Sequence, residues 1–504
     1  MLPPDHWLLL ATVSLILGWC ALYYLLYWRT ASARKLPPCP VYTLPLIGNI
    51  LSVDQNPRKQ IKAWHRQCGD LFRLHFGSTL VVVVSGYSKI KETLVKKSSM
   101  FSDRPLLFVN EVIGLGKSGI VFNSGAVWKE HRAVTLHIFK DFITKDNLFL
   151  PKIEEEIHFF VEALANMEGK AVDIRHFVYT STFNIICSFV VGKRFDYDDN
   201  RFQYAIDTFD KLLECSISTA PLDFFPFLKY LPGDIFKARR LEKHTMNFKQ
   251  KVIDFISEVE ESDRTGDKYG DADNFISAYN SKRNEKLKNG KETTLSRNNL
   301  LRTIMDFFGA GTETVSATIA WCLIYILNNP GVQTKIHEEL DREIGRERAP
   351  TLEDKAKLPY LEAVIKETQR LASVVPFSVM HVTTQNVTVG DYLIPKGTTI
   401  FPNLDSVLHD SAIWGADADE FHPERFLNKD GSVLHKEEFI PFSTGGRVCL
   451  GENFAKMELF LFLASMFQKF KFECPDPLKP PSLESIFRIA CLPKPFKIKI
   501  VTRT

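Results

Sequence analysis

The residues best suited to chemistry cluster around one cysteine. Cys449 stands in the segment 442–451, FSTGGRVCLG. A cysteine binds metal as its thiolate, so its pKa must be lowered, by a metal, by amide donors or by a cation such as Arg447. Glycines at 445, 446 and 451 let a backbone turn sharply and approach a ligand closely. Alone, such a cysteine reads as a buried structural thiol. A second segment, 310–314, reads Ala-Gly-Thr-Glu-Thr. Ala310 and Thr314 are four apart and share a helix face, with Gly311 beside them. Small side chains leave room there, a threonine hydroxyl can open the helix and hold water, and Glu313 can relay protons. The plain alternative is a close helix–helix contact through Gly and Ala. Glu367 and Arg370 make an ordinary i,i+3 pair, followed at a distance by Arg425 in Pro-Glu-Arg-Phe. Trp128 and Arg132 lie one helical turn apart, so both can reach one anionic group. Read singly, they are a core tryptophan and a surface arginine.

The first segment fits F-x-x-G-x-R-x-C-x-G at every fixed position. A chance match in a chain this long is on the order of one in ten thousand, which sets the plain reading of Cys449 aside. On these residues the chain resembles the cytochrome P450 family, in its microsomal animal type and family 2 branch. The resemblance runs from the Pro-rich segment near residue 36 to the C-terminal strands. It implies that Cys449 is the axial ligand of haem b iron, with Phe442 and Arg447 in the loop beneath the ring. A donating thiolate favours O–O cleavage in bound O2. By the same resemblance Thr314 and Glu313 are the catalytic, oxygen-activating pair, beside Gly311. Glu367, Arg370 and Arg425 form a buried structural network. Trp128, Arg132, Arg104 and His381 are partners of the haem propionates. The pocket is lined by Phe308, Ala310, Val375, Phe377, Val379 and Phe487, which says lipophilic and no more. Arg488 reads as a surface residue or as a partner for a substrate carboxylate. Several positions depart from the family pattern: Cys39 for a hinge glycine, Gly446 for a basic residue, Asp391 for a glycine, and an expanded stretch at 415–420 without its proline.

The implied activity is a monooxygenase acting on a fatty acid, steroid or xenobiotic. Electrons come from NADPH through cytochrome P450 reductase, with cytochrome b5 as a further partner. Lys129, Arg132 and Lys456 are candidates for a basic docking face. Two other readings remain: a reductase-independent haem-thiolate isomerase or dehydratase, and a non-enzymatic membrane protein that binds haem or lipid. The intact Glu313–Thr314 pair counts against both.

The elements that must position these residues are legible in outline. Acidic and basic residues nearly balance, 60 against 63, which gives no footing for nucleic acid. Nine scattered cysteines, none in CxxC spacing, give no disulfide framework. Residues 7–28 are uncharged and aromatic at both ends; at about 1.5 Å per residue they reach about 33 Å, enough to cross a bilayer. Arg29, Arg34 and Lys35 follow the run, which places the rest in the cytosol. The expected plan is a transmembrane anchor at 1–28, a basic and Pro-rich hinge at 29–50 and a catalytic domain at 51–504, on the endoplasmic reticulum membrane. Within the domain, 71–84 predicts a β-hairpin. The run 296–327 predicts a long central helix; Arg302, Asp306 and Glu313 argue against a second membrane span. Helices are expected at 360–371 and 451–470, with Leu361, Val364, Ile365, Thr368 and Leu371 on one stripe. The polar stretches 258–273 and 281–293 read as exposed loops. The fold class is mostly α with a smaller β region (α+β), which the resemblance refines to the cytochrome P450 fold with its long central helix over haem.

Overall fold

The computed structural model describes Thr12, Ser14, Gly18, Trp19, Leu22 and residues 35–145, 148–266 and 274–503. The expected anchor lies outside the described residues except at those five isolated helical positions. The chain is mostly helical with small sheets, and it forms two compact units. One unit combines residues up to 105 with 377–406 and 444–446; the other holds 106–376, 407–443 and 447–504.

The smaller unit carries the expected hairpin. Strands Leu71–Phe76 and Thr79–Val84 pair antiparallel, with Leu71 opposite Val84. The second strand also pairs in parallel with Thr399–Pro402, which in turn pairs with His381–Val382. Thr79–Val84 is therefore interior to a four-stranded sheet, and Val81 to Val84 are all buried. A continuous β-branched run suits a strand covered on both faces. A second hairpin joins Val387–Val389 to Tyr392–Ile394. Gly390 takes the left-handed backbone there (φ 55°), so Asp391 can stand where the family pattern has glycine.

The larger unit is built on the helix Arg297–Asn328, about 48 Å long. Ser296 caps it by accepting the Asn299 N–H, and Pro330 opens the next helix, Pro330–Glu343. The helix is long and apolar enough to cross a membrane, yet 83% of its most apolar window is buried inside the protein. Its charges are answered internally: Arg302 Nε donates to Asp306 at 2.8 Å, and the other Asp306 oxygen accepts the N–H groups of Ile120 and Val121. Helices Ile174–Val191, Asn200–Thr219, Ala238–Thr265 and Glu452–Lys469 share one core with it. The C-terminal hairpin Ser485–Phe487 and Cys491–Pro493 is tied to it where Trp321 Nε1 donates to the Cys491 carbonyl at 2.8 Å.

Two stretches read as loops are in part helix. Residues 258–265 complete Ala238–Thr265, and 281–288 complete Phe275–Lys288. Each is polar because the core-facing residues lie mostly just before it: Phe255 and Ile256 in one, with only Val259 buried within the stretch, and Phe275, Ile276 and Tyr279 in the other. The helix Pro359–Ala372 is not a one-stripe amphipath. It is buried on nearly every side, Glu367 and Arg370 included, while Leu371 on the expected stripe is only half-buried.

The close helix–helix contact that the resemblance sets aside is present at Gly311, though not at Ala310, which is exposed. A Cβ on Gly311 would lie 2.6 Å from Ile186 Cδ1 on helix Ile174–Val191. Gly311→Ala is expected to cost about 1–3 kcal/mol in overpacking, partly offset by better helix propensity of about 1 kcal/mol. Ile186→Val should recover most of the loss, as a double-mutant cycle of thermal unfolding would show. Additive effects would mean that the two positions do not press on each other.

Candidate active site

The Cys449 loop starts at Phe442, whose carbonyl accepts the Cys449 N–H at 3.0 Å. Ser443 takes φ 64°, an uncommon backbone for serine that the closed loop imposes. Gly445 also has positive φ, and a Cβ there would lie 1.8 Å from the Leu94 carbonyl oxygen, so no other residue fits. A Cβ on Gly451 would meet nothing within 4 Å. The need for glycine therefore rests on packing at 445 and not at 451.

The Cys449 side chain is exposed to solvent although protein surrounds it closely, the position of a group at the floor of a cleft. Burial raises its thiol pKa, while the Gly451 N–H and the Arg132 charge pull it down and Glu452 pushes it up. The cation beside the thiol is thus Arg132, and the expectation for Arg447 is corrected. Arg447 donates to the carbonyls of Asn123 (2.6 Å) and Ile120 (3.3 Å), and its guanidinium stacks 3.6 Å from the centre of the Trp128 ring. Arg132 donates to the Val448 carbonyl at 2.7 Å and has no carboxylate partner among the described residues. The Trp128 indole N–H is buried without a hydrogen-bond partner. Among the described residues no three His, Cys, Asp or Glu side chains group to hold a metal ion.

On the central helix one short face is open. Ala310 is exposed and Thr314 half-buried within a helix otherwise largely sealed. Thr314 Oγ1 donates to the Ala310 carbonyl at 2.6 Å, so the helix is not broken and the hydroxyl lone pairs remain available. Glu313 points elsewhere. It is buried, its carboxyl pKa is pushed up to about 7 by burial, and Oε2 has no partner. Arg488 stands 4.0 Å from Oε1. Phe308, expected in the pocket, is fully buried against Phe183, Phe209 and Phe248. It lies two residues from Ala310, about 200° around the helix, so it faces the core. Val375 and Phe487 are half-buried.

Glu367 and Arg370 pair at 2.7 Å with neither side chain exposed. Arg370 also donates to the carbonyls of Leu408, Ala418 and Glu420, and Glu367 accepts the His422 N–H and Arg425 Nε. Sequence reading missed Asp417, which pairs with Arg425 at 3.0 Å. That bond holds its carboxyl well below the usual range. Asp417 lies in the stretch that departs from the family pattern, so no motif pointed to it. In the smaller unit Arg104 donates to the carbonyls of Val379 and Met380, and His381 Nδ1 meets the Phe101 carbonyl at 2.6 Å. Phe377 is buried there and Val379 half-buried. Of the three candidate docking cations, Lys129 is exposed, Arg132 turns inward, and Lys456 pairs with Glu452 at 2.6 Å.

A largely helical protein that sets a lone thiol in a cradle of tryptophan and arginine is suited to a flat, anionic cofactor. Comparison with known proteins makes that class specific. The profile of the cytochrome P450 family matches residues 37–500. Cytochrome P450 2U1 of Homo sapiens is 36% identical over 99% of this chain and 94% of its own. Cytochrome P450 1A1 of Rattus norvegicus is 36% identical over 92% and 90%, and cytochrome P450 2E1 of Mesocricetus auratus 33% over 98% and 99%. The chain belongs to the cytochrome P450 family and is a monooxygenase with haem b as cofactor and O2 as cosubstrate. The residues present fit haem. A porphyrin supplies four nitrogens and needs one protein donor, and a buried indole N–H and an arginine without a carboxylate suit propionates.

The Glu367–Arg370 pair gives a stability test. Arg370→Ala strands a buried carboxylate and should cost about 3–5 kcal/mol, read as a fall in thermal midpoint. Lys335→Ala, which breaks a 2.6 Å but exposed pair with Glu424, should cost about 0–1 kcal/mol. Equal losses would deny the buried pair its structural role.

Proposed function

We propose that this enzyme inserts one atom of O2 into a lipophilic small molecule, a fatty acid, steroid or xenobiotic, and reduces the other to water. Electrons come from NADPH through cytochrome P450 reductase, with cytochrome b5 as a second donor. Residues 1–28 anchor the chain in the endoplasmic reticulum membrane, 29–50 form a hinge, and 51–504 work in the cytosol. Cys449 would hold the haem iron through its thiolate, and the observation that carries this reading is its uncovered thiol beside Arg132. Haem, when bound, supplies the iron that activates O2, and thiolate donation favours O–O cleavage.

The chain's own residues do the rest. Arg132 and Trp128 hold the propionates. Phe442, Arg447 and Gly311 shape the cofactor's surroundings; Arg447 does so by fixing Trp128 and the backbone at 120 and 123. Thr314 keeps a hydroxyl on the open helix face, and Glu313 supplies protons toward it. A carboxyl that titrates near neutral is suited to both giving and regaining a proton. Ala310, Val375 and Phe487 provide apolar contact for the substrate.

The reduced, carbon-monoxide-bound protein in membranes is expected to show a strongly red-shifted Soret band that Cys449→Ala abolishes. A histidine-like band in wild type, or a red-shifted band in the variant, would refute ligation by Cys449. Thr314→Ala should keep the band while turnover to product falls by about 10²-fold. Unchanged product yield per NADPH would remove Thr314 from the reaction.

A further inference from the structure

Glu313 sits in a charged cluster drawn from four elements. Arg488, at the tip of the C-terminal hairpin, lies 4.0 Å from Glu313 Oε1 and 3.5 Å from Asp210 Oδ1. Asp210 belongs to helix Asn200–Thr219, and Tyr179 to helix Ile174–Val191. Exposure falls steadily inward along the row: 54% for the Asp210 side chain, 23% for Arg488 and 4% for Glu313. The Ala490 N–H of the same hairpin pulls the carboxyl's pKa down. Two buried polar atoms border the cluster without a hydrogen-bond partner, Glu313 Oε2 and the Tyr179 hydroxyl. An unpartnered carboxyl oxygen beside a partly exposed guanidinium is a place for water.

We propose that Arg488 is a positioning residue: its guanidinium bridges surface Asp210 to core Glu313 and holds open a polar seam through which water delivers protons to that carboxyl. This rests on the monooxygenase reading above and adds the source of its protons. Arginine does not give up its own proton at working pH, so it orders the path and does not carry the charge. The Glu313 O–H bond breaks when its proton leaves toward the open helix face, and solvent water restores it along the seam. The groups facing Glu313 set its charge state with opposite signs. Arg488 favours the carboxylate; Asp210 opposes it; burial opposes it most. The Tyr179 hydroxyl stays neutral, since burial and both acids raise its pKa.

The test uses the full-length haem-loaded enzyme with reductase in phospholipid vesicles. Infrared difference titration follows the Glu313 carboxyl band, identified by its loss in Glu313→Gln. Arg488→Gln removes a cation, so the midpoint should rise by about one to three pH units. Asp210→Asn removes an anion, so it should fall. Arg488→Lys should return it toward wild type. The pH profile of NADPH oxidation, measured with O2 uptake and peroxide release, should move with the midpoint, and Arg488→Gln should enlarge the solvent deuterium isotope effect. An unmoved midpoint, shifts of like sign in both variants, or a shifted midpoint with unchanged pH profile and isotope effect would overturn the proposal. A wild-type enzyme that consumes no NADPH would instead overturn the monooxygenase reading.

Discussion

Two opposite charges without any solvent exposure, Glu367 and Arg370, set the terms for the larger unit. Removing ions from water costs several kcal/mol each, and the pair alone does not offset it. The remaining donors and acceptors must be filled, and they are filled by backbone between Leu408 and His422. That stretch contains only one-turn helices and bends, so it has little regular hydrogen bonding of its own. The buried guanidinium works as its scaffold. Arg425 and Asp417 extend the same logic toward the surface, and Trp414, Phe426 and Phe439 pack as rings beside it. The chain then runs on to Phe442 and the Cys449 loop.

A second constraint is that the core must stay open where it would most readily close. The central helix is lined with Ile, Leu, Phe and Trp, and burying them drives the fold. Yet no side chain packs over Ala310 or the Cys449 thiol, which leaves room for the cofactor. The opening survives because small residues give neighbours nothing to grip at Ala310, while Gly311 takes the contact with Ile186. Close packing and accessibility are divided between adjacent positions of one helix.

What was legible in the sequence was local. The cysteine loop, the Glu-x-x-Arg spacing and the Ala-Gly-Thr-Glu-Thr run are short patterns whose meaning lies in their own spacing. The 71–84 hairpin and the central helix followed from periodicity. What failed depended on distant chain. Phe308 sits in the right helix, but spacing cannot say which face turns toward three phenylalanines far away in sequence. Arg447 was expected to serve the thiol, yet carbonyls at 120 and 123 claim it, and Arg132 takes that place. Asp417 looked like a departure from pattern because its partner, Arg425, gives meaning to it only in three dimensions. The polar ends of Ala238–Thr265 and Phe275–Lys288 read as loops since exposed helix surface and exposed loop share a composition.

The C-terminal hairpin has a consequence for how the chain comes into being. Glu313 faces the Arg488 guanidinium, and Trp321 gives its indole hydrogen to the Cys491 carbonyl. Both partners lie 170 or more residues further along the chain. At about 5–20 residues per second, the central helix waits roughly ten to forty seconds on the ribosome before they exist. Until then a carboxyl destined for burial lacks its cation and an indole its acceptor, and the helix cannot be sealed in its final form. The larger unit therefore closes around this helix only once residues 488 and 491 exist, and its N-terminal half must persist meanwhile with an apolar helix incompletely covered.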